Sequence, residues 1–427
     1  MNYYSLTDPS IVRTFDRALR DGIAPDRGLY FPERIPVLDW SRIVSKPMSL
    51  PDLAFEILRP YVGSTLDETV LRPLLLDALD FDIPLVQLDE GLHVLELFHG
   101  PTAAFKDVGA RIMARLLAKT TTERLTVLVA TSGDTGSAVA QGFLDVPGID
   151  VVILYPSGRI SHIQEQQLTT VGRNIRALEV QGNFDDCQAL VKQAFMDDGL
   201  KQKRALTSAN SINIGRWIPQ AIYYAWAAKQ CAAPVHFVVP SGNFGNVAAG
   251  MLLQNMGVPI LPFIAATNAN DGMASYLKSG VFEPKLSVAT CANAMDVGDP
   301  SNRPRIEALC ENSFQVLQSR LLGYTMQDQA TRDFMQLAHE KWGYLACPHT
   351  AIALAAAHDF RSKSATNGPL IALATAHPAK FGQTVEQATG VEPELPNSLR
   401  GCLDKKKTST VIPASYKALR DYLWATA

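Results

Sequence analysis

The chain has 427 residues, 47% hydrophobic and 19% charged, with a formal net charge of −3. That length is enough for two or three domains with sizeable cores, and the charge balance favours neither nucleic acid nor an anionic membrane as partner. The six cysteines (Cys187, Cys231, Cys291, Cys310, Cys347 and Cys402) form no C-x-x-C pair and no zinc-type spacing with histidine, so they read as reduced thiols in a cytoplasmic protein with no metal site.

The opening MNYYSLTDPS lacks the basic and apolar regions of a secretory leader. No apolar run approaches the ~20 residues that a spanning helix needs. Residues 1–78 combine turn signals (DGIAPDRGLYFPERIP) with two helical patterns, PDLAFEILRPYV and LRPLLLDALDF. This predicts a small N-terminal domain, followed by a larger region over 79–427.

The larger region opens on ELFHGPTAAFKDVGAR, in which Lys106 follows Ala103, Ala104 and Phe105. A lysine among small and apolar neighbours is partly desolvated, which lowers its pKa and frees its amine. Read alone, it fits better a helix-start lysine whose ammonium reaches back to water.

Strand and helix patterns then alternate. Short β-rich runs fall at 124–130, 151–156, 174–180, 235–240, 260–267 and 369–375, each followed by a turn or a helical pattern. In FDDCQALVKQAF, Asp185 or Asp186 suits the first helical turn. The alternation predicts an α/β fold with mostly parallel sheets, in two lobes. DKKKTST (404–410) reads as a solvated loop.

Two strand-to-helix turns share one chemistry: TSGDTGSA (131–138) and PSGNFGNVAAG (240–250). Glycines allow backbone N–H groups to turn inward at a helix N-terminus, which makes an anion site, most often for phosphate. Each is also readable as a tight turn with an N-cap. The chain has no G-x-x-x-x-G-K-[ST], and none of its 28 glycines forms a G-x-G. A P-loop and a Rossmann fingerprint are therefore excluded, and a phosphate on a smaller molecule fits better. Pyridoxal phosphate is the cofactor that needs both an aldehyde-capturing lysine and a phosphate cradle.

With these motifs in view, the chain resembles the threonine synthases, a branch of the tryptophan-synthase-β-like (fold type II) pyridoxal phosphate enzymes. The resemblance spans nearly the whole chain through APDRGLYFPERIP, ELFHGPTAAFKDVGAR, ATSGDTGSA, LYPSGRIS, FDDCQALVK, SANSINIGR, PSGNFGN, AMDVGDPSNRPR and ATAHPAKF. The long N-terminal domain is similar to that of the bacterial and fungal members. The resemblance implies a catalytic region over 79–427, with a smaller lobe at roughly 104–225 inserted in the larger one.

It also implies residue roles. Lys106 would form the Schiff base with the cofactor and later move the substrate's protons. Gly242, Asn243, Phe244, Gly245 and Asn246 would hold the cofactor phosphate through backbone N–H groups. Thr375 would meet the pyridine nitrogen, where a hydroxyl in place of a carboxylate leaves that nitrogen largely unprotonated. Asp134 stands where related enzymes carry an asparagine, and an ionised aspartate cannot donate to the cofactor's ring oxygen. Ser132, Gly133 and Thr135 are candidates for the substrate carboxylate. For the substrate phosphate the candidates are Arg159 and Arg216, with Asn210, Ser211 and Asn213 beside the latter. Lys192 and Arg303 have weaker claims. His99 and His377 flank the cofactor motifs and would orient loops. Phe105 would be an apolar wall that keeps the amine neutral.

The implied reaction converts O-phospho-L-homoserine and water to L-threonine and phosphate, carried out by a monomer. One alternative is a serine or threonine dehydratase, or a phospho-amino-acid lyase, releasing a keto acid and ammonia. The other is a non-catalytic phosphometabolite-binding protein, against which the retained Lys106 argues.

Overall fold

The protein is described from a computed structural model, which covers residues 1–363 and 368–426. The segment up to Ala78 carries a three-stranded sheet and four helices. Its antiparallel sheet is made of β1 (Asn2–Ser5), β2 (Val12–Thr14) and β3 (Tyr30–Pro32), in the order β2-β1-β3. After the short helices Phe15–Asp21 and Trp40–Ser45 come two longer ones, Leu50–Val62 and Glu68–Ala78. Ser49 caps the first, accepting from the Asp52 amide, and Leu53, Ala54, Ile57, Leu58 and Tyr61 line its buried face. That spacing is the i, i+3, i+4 stripe of a helix laid on a core.

The larger lobe is built on a six-stranded sheet. Its strands are β4 (Leu85–Asp89), β5 (Leu92–Glu96), β10 (His236–Pro240), β11 (Phe263–Thr267), β12 (Leu321–Thr325) and β13 (Leu370–Ala374), ordered β12-β11-β10-β13-β5-β4. Only the β4–β5 pair is antiparallel. The smaller lobe has a fully parallel sheet, ordered β14-β8-β7-β6-β9. Its strands are β6 (Leu125–Ala130), β7 (Ile149–Pro156), β8 (Ile175–Gln181), β9 (Ala205–Ser208) and β14 (Thr410–Pro413). Every residue of β6, β10, β11 and β13 is buried, as expected of parallel strands covered by helices on both faces.

Two expectations are revised. The smaller lobe is not one continuous insertion, because its edge strand β14 comes from the C-terminal end. The 404–410 run is correspondingly more than a solvated loop. Lys407 Nζ lies 2.6 Å from Glu165 and 2.7 Å from Glu179, and Thr410 begins β14. No helix among the described residues is long and apolar enough to cross a membrane.

Candidate active site

Backbone pairing brings the lysine and threonine motifs together. The Phe105 amide donates to the Thr375 carbonyl at 2.9 Å, and the His377 amide to the Ala103 carbonyl at 3.0 Å. Ala104 and Ala376 form an antiparallel bridge. Ala103 takes φ 55°, a left-handed turn that a small side chain tolerates better than a branched one. The chain then enters the helix Lys106–Thr120 with Lys106 as its first residue.

A helix N-terminus disfavours a cation, and burial adds to this. Desolvation takes the Lys106 pKa from 10.5 down to about 8; Asp134 opposes the fall, while Lys380 and Arg216 assist it. The Phe105 ring centroid lies 4.9 Å from Lys106 Nζ. The ring excludes water, yet its π face attracts a cation, so it does not favour the neutral amine in both respects. Asp107, next in the chain, is turned away and accepts from the Thr102 amide (2.9 Å) and hydroxyl (2.6 Å).

The same pocket is lined by Gly242 to Asn246, Thr375, Asp134, Ser132, Thr135, Asn210, Ser211 and Arg216. The GNFGN loop joins β10 to the helix Gly245–Asn255, with Phe244 at φ 59° and buried. The amides of the first helical turn have no intrahelical acceptor and make an anion cradle. The side chain of Asn243 is occupied elsewhere: it donates to Ser211 Oγ (2.9 Å) and accepts from the Ser301 amide (2.6 Å). Asn246 Oδ1 accepts from the hydroxyls of Tyr223 (2.6 Å) and Tyr224 (2.7 Å), which leaves Asn246 Nδ2 buried without a partner.

Arg216 is no surface ion pair. It is 2% exposed, and burial lowers its pKa to about 10. Among the described residues no carboxylate lies within ion-pair distance of it. One Nη donates to the Ala209 carbonyl at 2.6 Å, while Nε is buried and unpaired. Orphaned donors at Arg216 and Asn246 and a desolvated amine at Lys106, all in one pocket, fit acceptor-rich and aldehyde-bearing ligands.

Several sequence candidates lie elsewhere. Asn213 caps the turn Ile214–Trp217, and its amide donates to the carbonyls of Leu19 (2.8 Å) and Ser208 (2.9 Å); it ties the N-terminal segment to the lobe. Gly133 shapes the turn at φ 127°, and its amide is taken by Thr131 Oγ1 at 2.9 Å. Arg159 lines a separate outer cleft of about 1090 Å³, which shares Ser132 and Phe184 with the inner pocket. Lys192 is exposed, and Arg303 pairs with Glu307 at 2.6 Å. His377 caps the short turn Pro378–Phe381 by accepting from the Ala379 amide (3.2 Å), and His99 contacts Glu96 at 2.7 Å.

Two groups around Lys106 escaped the sequence reading. His349, at the start of the helix Pro348–Lys363, has its pKa lowered to about 4 by burial, and its Nε2 accepts from the Ala294 amide at 3.2 Å. Lys380 is fully buried against Asp134 at 2.9 Å. Its motif, ATAHPAKF, was visible in sequence, but nothing local marked this lysine as buried.

Two lobes of mostly parallel sheet flanking a pocket-lining, desolvated lysine and a glycine-bordered anion cradle define a pyridoxal-phosphate dependent enzyme of fold type II, and the sequence model described by that cofactor matches residues 81–376. Models of the threonine synthase N terminus and C-terminal region match residues 2–79 and 350–423. A threonine synthase of Haemophilus influenzae is 43% identical over 99% of both chains. The crystal structure of threonine synthase from Escherichia coli superposes with a TM-score of 0.94 at 38% identity, covering all of both chains. That of a threonine synthase from Brucella melitensis, described as PLP-bound, gives 0.91 at 35% identity over 99% and 98%. The chain belongs to the threonine synthase family.

Proposed function

We propose that this enzyme converts O-phospho-L-homoserine and water to L-threonine and phosphate, acting as a monomer in the cytoplasm. The observation that carries the reading is the convergence of Lys106, Thr375, the 242–246 cradle and the unpaired Arg216 in one pocket. Matches to threonine synthase models at both ends of the chain favour it over the dehydratase reading.

The first-turn amides after Phe244, with the unpaired Asn246 amide close by, would hold the cofactor phosphate. The Thr375 hydroxyl would meet the ring nitrogen, and Lys106 the aldehyde carbon. When bound, pyridoxal phosphate supplies an electron sink for negative charge developing at the substrate α-carbon.

The chain's own groups do the rest. Ser132 and Thr135, beside the N-terminus of the helix Asp134–Gly142, suit the substrate carboxylate. Arg216 meets the substrate phosphate with the Nη that does not donate to Ala209; Asn210 lines the same wall, and the Ser211 oxygen accepts from Asn243 and Asn302, which leaves its O–H free to donate. The neutral amine of Lys106 takes the α-proton, and its low basicity leaves a useful fraction unprotonated near neutral pH. A β-proton is lost next, and the Cγ–O electron pair leaves with phosphate, whose charge Arg216 offsets. A proton is then delivered to Cγ, which becomes the methyl carbon. The hydroxyl of water adds at Cβ, the proton that water releases passes to the departed phosphate, and Lys106 returns a proton to Cα. Arg159, in the outer cleft, would attract the dianionic substrate.

The test is an assay of purified holoenzyme with O-phospho-L-homoserine, reading phosphate and threonine together. Equimolar threonine and phosphate is expected, and a keto acid with ammonia would refute the reading. Arg216→Ala should raise KM about tenfold or more, from loss of a charged hydrogen bond, with cofactor absorbance intact.

A further inference from the structure

Asp134 and Lys380 meet at 2.9 Å with side chains 3% and 0% exposed. Lys380 Nζ also donates to the Thr102 carbonyl at 2.8 Å, and Gln164 Nε2 donates to the same Asp134 oxygen at 2.9 Å. A buried ion pair contributes little net stability over an apolar replacement, so its presence here asks for another reason. The pair bridges two spaces: Asp134 lines the inner pocket with Lys106, and Lys380 lines the outer cleft.

The groups facing Lys106 come from four elements. They are Asp134 at the start of its helix, Lys380 on the turn after β13, Arg216 on Ile214–Trp217 and His349 on Pro348–Lys363. Asp107, on the helix of Lys106 itself, points to Thr102. Among the described residues Asp134 is therefore the one acidic side chain lining the pocket, and its ion-pair contact there is with Lys380 and not with Lys106. Burial would raise the Asp134 pKa, but Lys380, then Lys106 and the Gln164 amide, hold its carboxylate well below the usual range.

We propose that Lys380 is a positioning residue: by engaging Asp134 in a neutral pair, it prevents that carboxylate from ion-pairing with Lys106 and so sets the basicity of the Lys106 nitrogen. This rests on Lys106 being the cofactor lysine. A neutral amide at position 134 could approach the cofactor unaided. An aspartate there needs a permanent cation beside it, and Lys380 supplies one from the turn that His377 caps. With Lys380 present, Lys106 faces a cluster whose excess charge is positive, that of Arg216, since His349 is held neutral by burial. Without Lys380, Asp134 would favour the protonated form of its only remaining lysine neighbour.

The test reads the cofactor absorbance band of the holoenzyme against pH, whose midpoint reports protonation at the Lys106 nitrogen. Opposite charges at such range move a pKa by about one to three pH units. Lys380→Gln and Lys380→Met should raise the midpoint by about one unit or more. Asp134→Asn should lower it, Lys380→Arg should restore the wild-type value, and the neutral double variant Asp134→Asn/Lys380→Gln should lie between the singles. Any one folded charge-removing variant decides: an unmoved midpoint in Lys380→Gln, Lys380→Met or Asp134→Asn, or Lys380→Gln and Asp134→Asn moving it the same way, overturns the proposal. Lys106→Ala tests the reading beneath it. If that variant keeps the band, the assignment of Lys106 fails, whatever the midpoints do.

Discussion

Lys106→Met in the cofactor-free protein should increase stability, although it abolishes activity. In the unfolded chain this lysine takes up its proton at about pH 10.5, whereas in the folded chain it does so at about 8. At about 1.4 kcal/mol per pH unit, burying the amine destabilises the fold by about 3 kcal/mol wherever both states are protonated. Lys106 is only half-buried, so solvent screens part of this, which leaves about 1 to 3 kcal/mol. Below about pH 8 the folded state bears the whole cost. Between about 8 and 10.5 the folded chain releases the proton while the unfolded chain keeps it, so wild-type stability rises with pH across that window. The methionine variant lacks this contribution. Urea unfolding of wild type and variant, stripped of cofactor, at pH 7 and pH 10 measures it. The variant should be more stable at pH 7, and the gap should narrow at pH 10. Equal gaps at both pH values would refute the reasoning.

Gly242→Ala would set a Cβ 2.5 Å from the Met295 Cα; overpacking against backbone costs about 1 to 3 kcal/mol, and equilibrium dialysis should show cofactor affinity reduced about tenfold or more. Arg305, fully buried over the Trp217 ring, donates to the carbonyls of Ser211, Ile212 and Tyr30. Arg305→Met should destabilise the protein by about 2 to 4 kcal/mol, because it strands those acceptors, and this would be read as a lower unfolding midpoint. Lys407→Ala should cost no more than about 1 kcal/mol, shrinking in high salt, since its pairs are partly solvated.

The strands legible in sequence were those covered on both faces. LTVLVA and LIALA are unbroken apolar runs because helices lie on each side of them. The strands that went unread are shorter or less apolar. ALTS in β9 and TVIP in β14 lie at the two edges of their sheet, where half-polar residues and a proline are tolerated. LVQLD and LHVLE form a hairpin around Gly91 at φ 68°, a signal present in the sequence but masked by the neighbouring helical pattern.

At the site, Lys106, the GNFGN loop and Thr375 each carry a local signature: small neighbours, glycines at a helix start, or a strand end. Asn213 and Gly133 sit inside equally recognisable motifs, yet the groups they would offer are already engaged by Leu19, Ser208 and Thr131. Lys380 is the reverse case. Its meaning depends on Asp134, distant in sequence, and no spacing rule connects a turn after one sheet's strand to a helix start in the other lobe.

The way the sheets are closed also bears on synthesis. Ala374 pairs with Glu96, and Thr410 pairs with Leu178. At about 5 to 20 residues per second, the roughly 280 residues between β5 and β13 take about 15 to 55 s to appear. Until then Lys106 has no Thr375 beside it, so no nascent fragment can present a finished cofactor pocket. The smaller sheet waits longer still, with the edge of β8 open until the last strand emerges. A message truncated shortly before codon 410 would therefore yield a chain with its chemistry encoded and a bare parallel edge exposed, a substrate for chaperones and proteases.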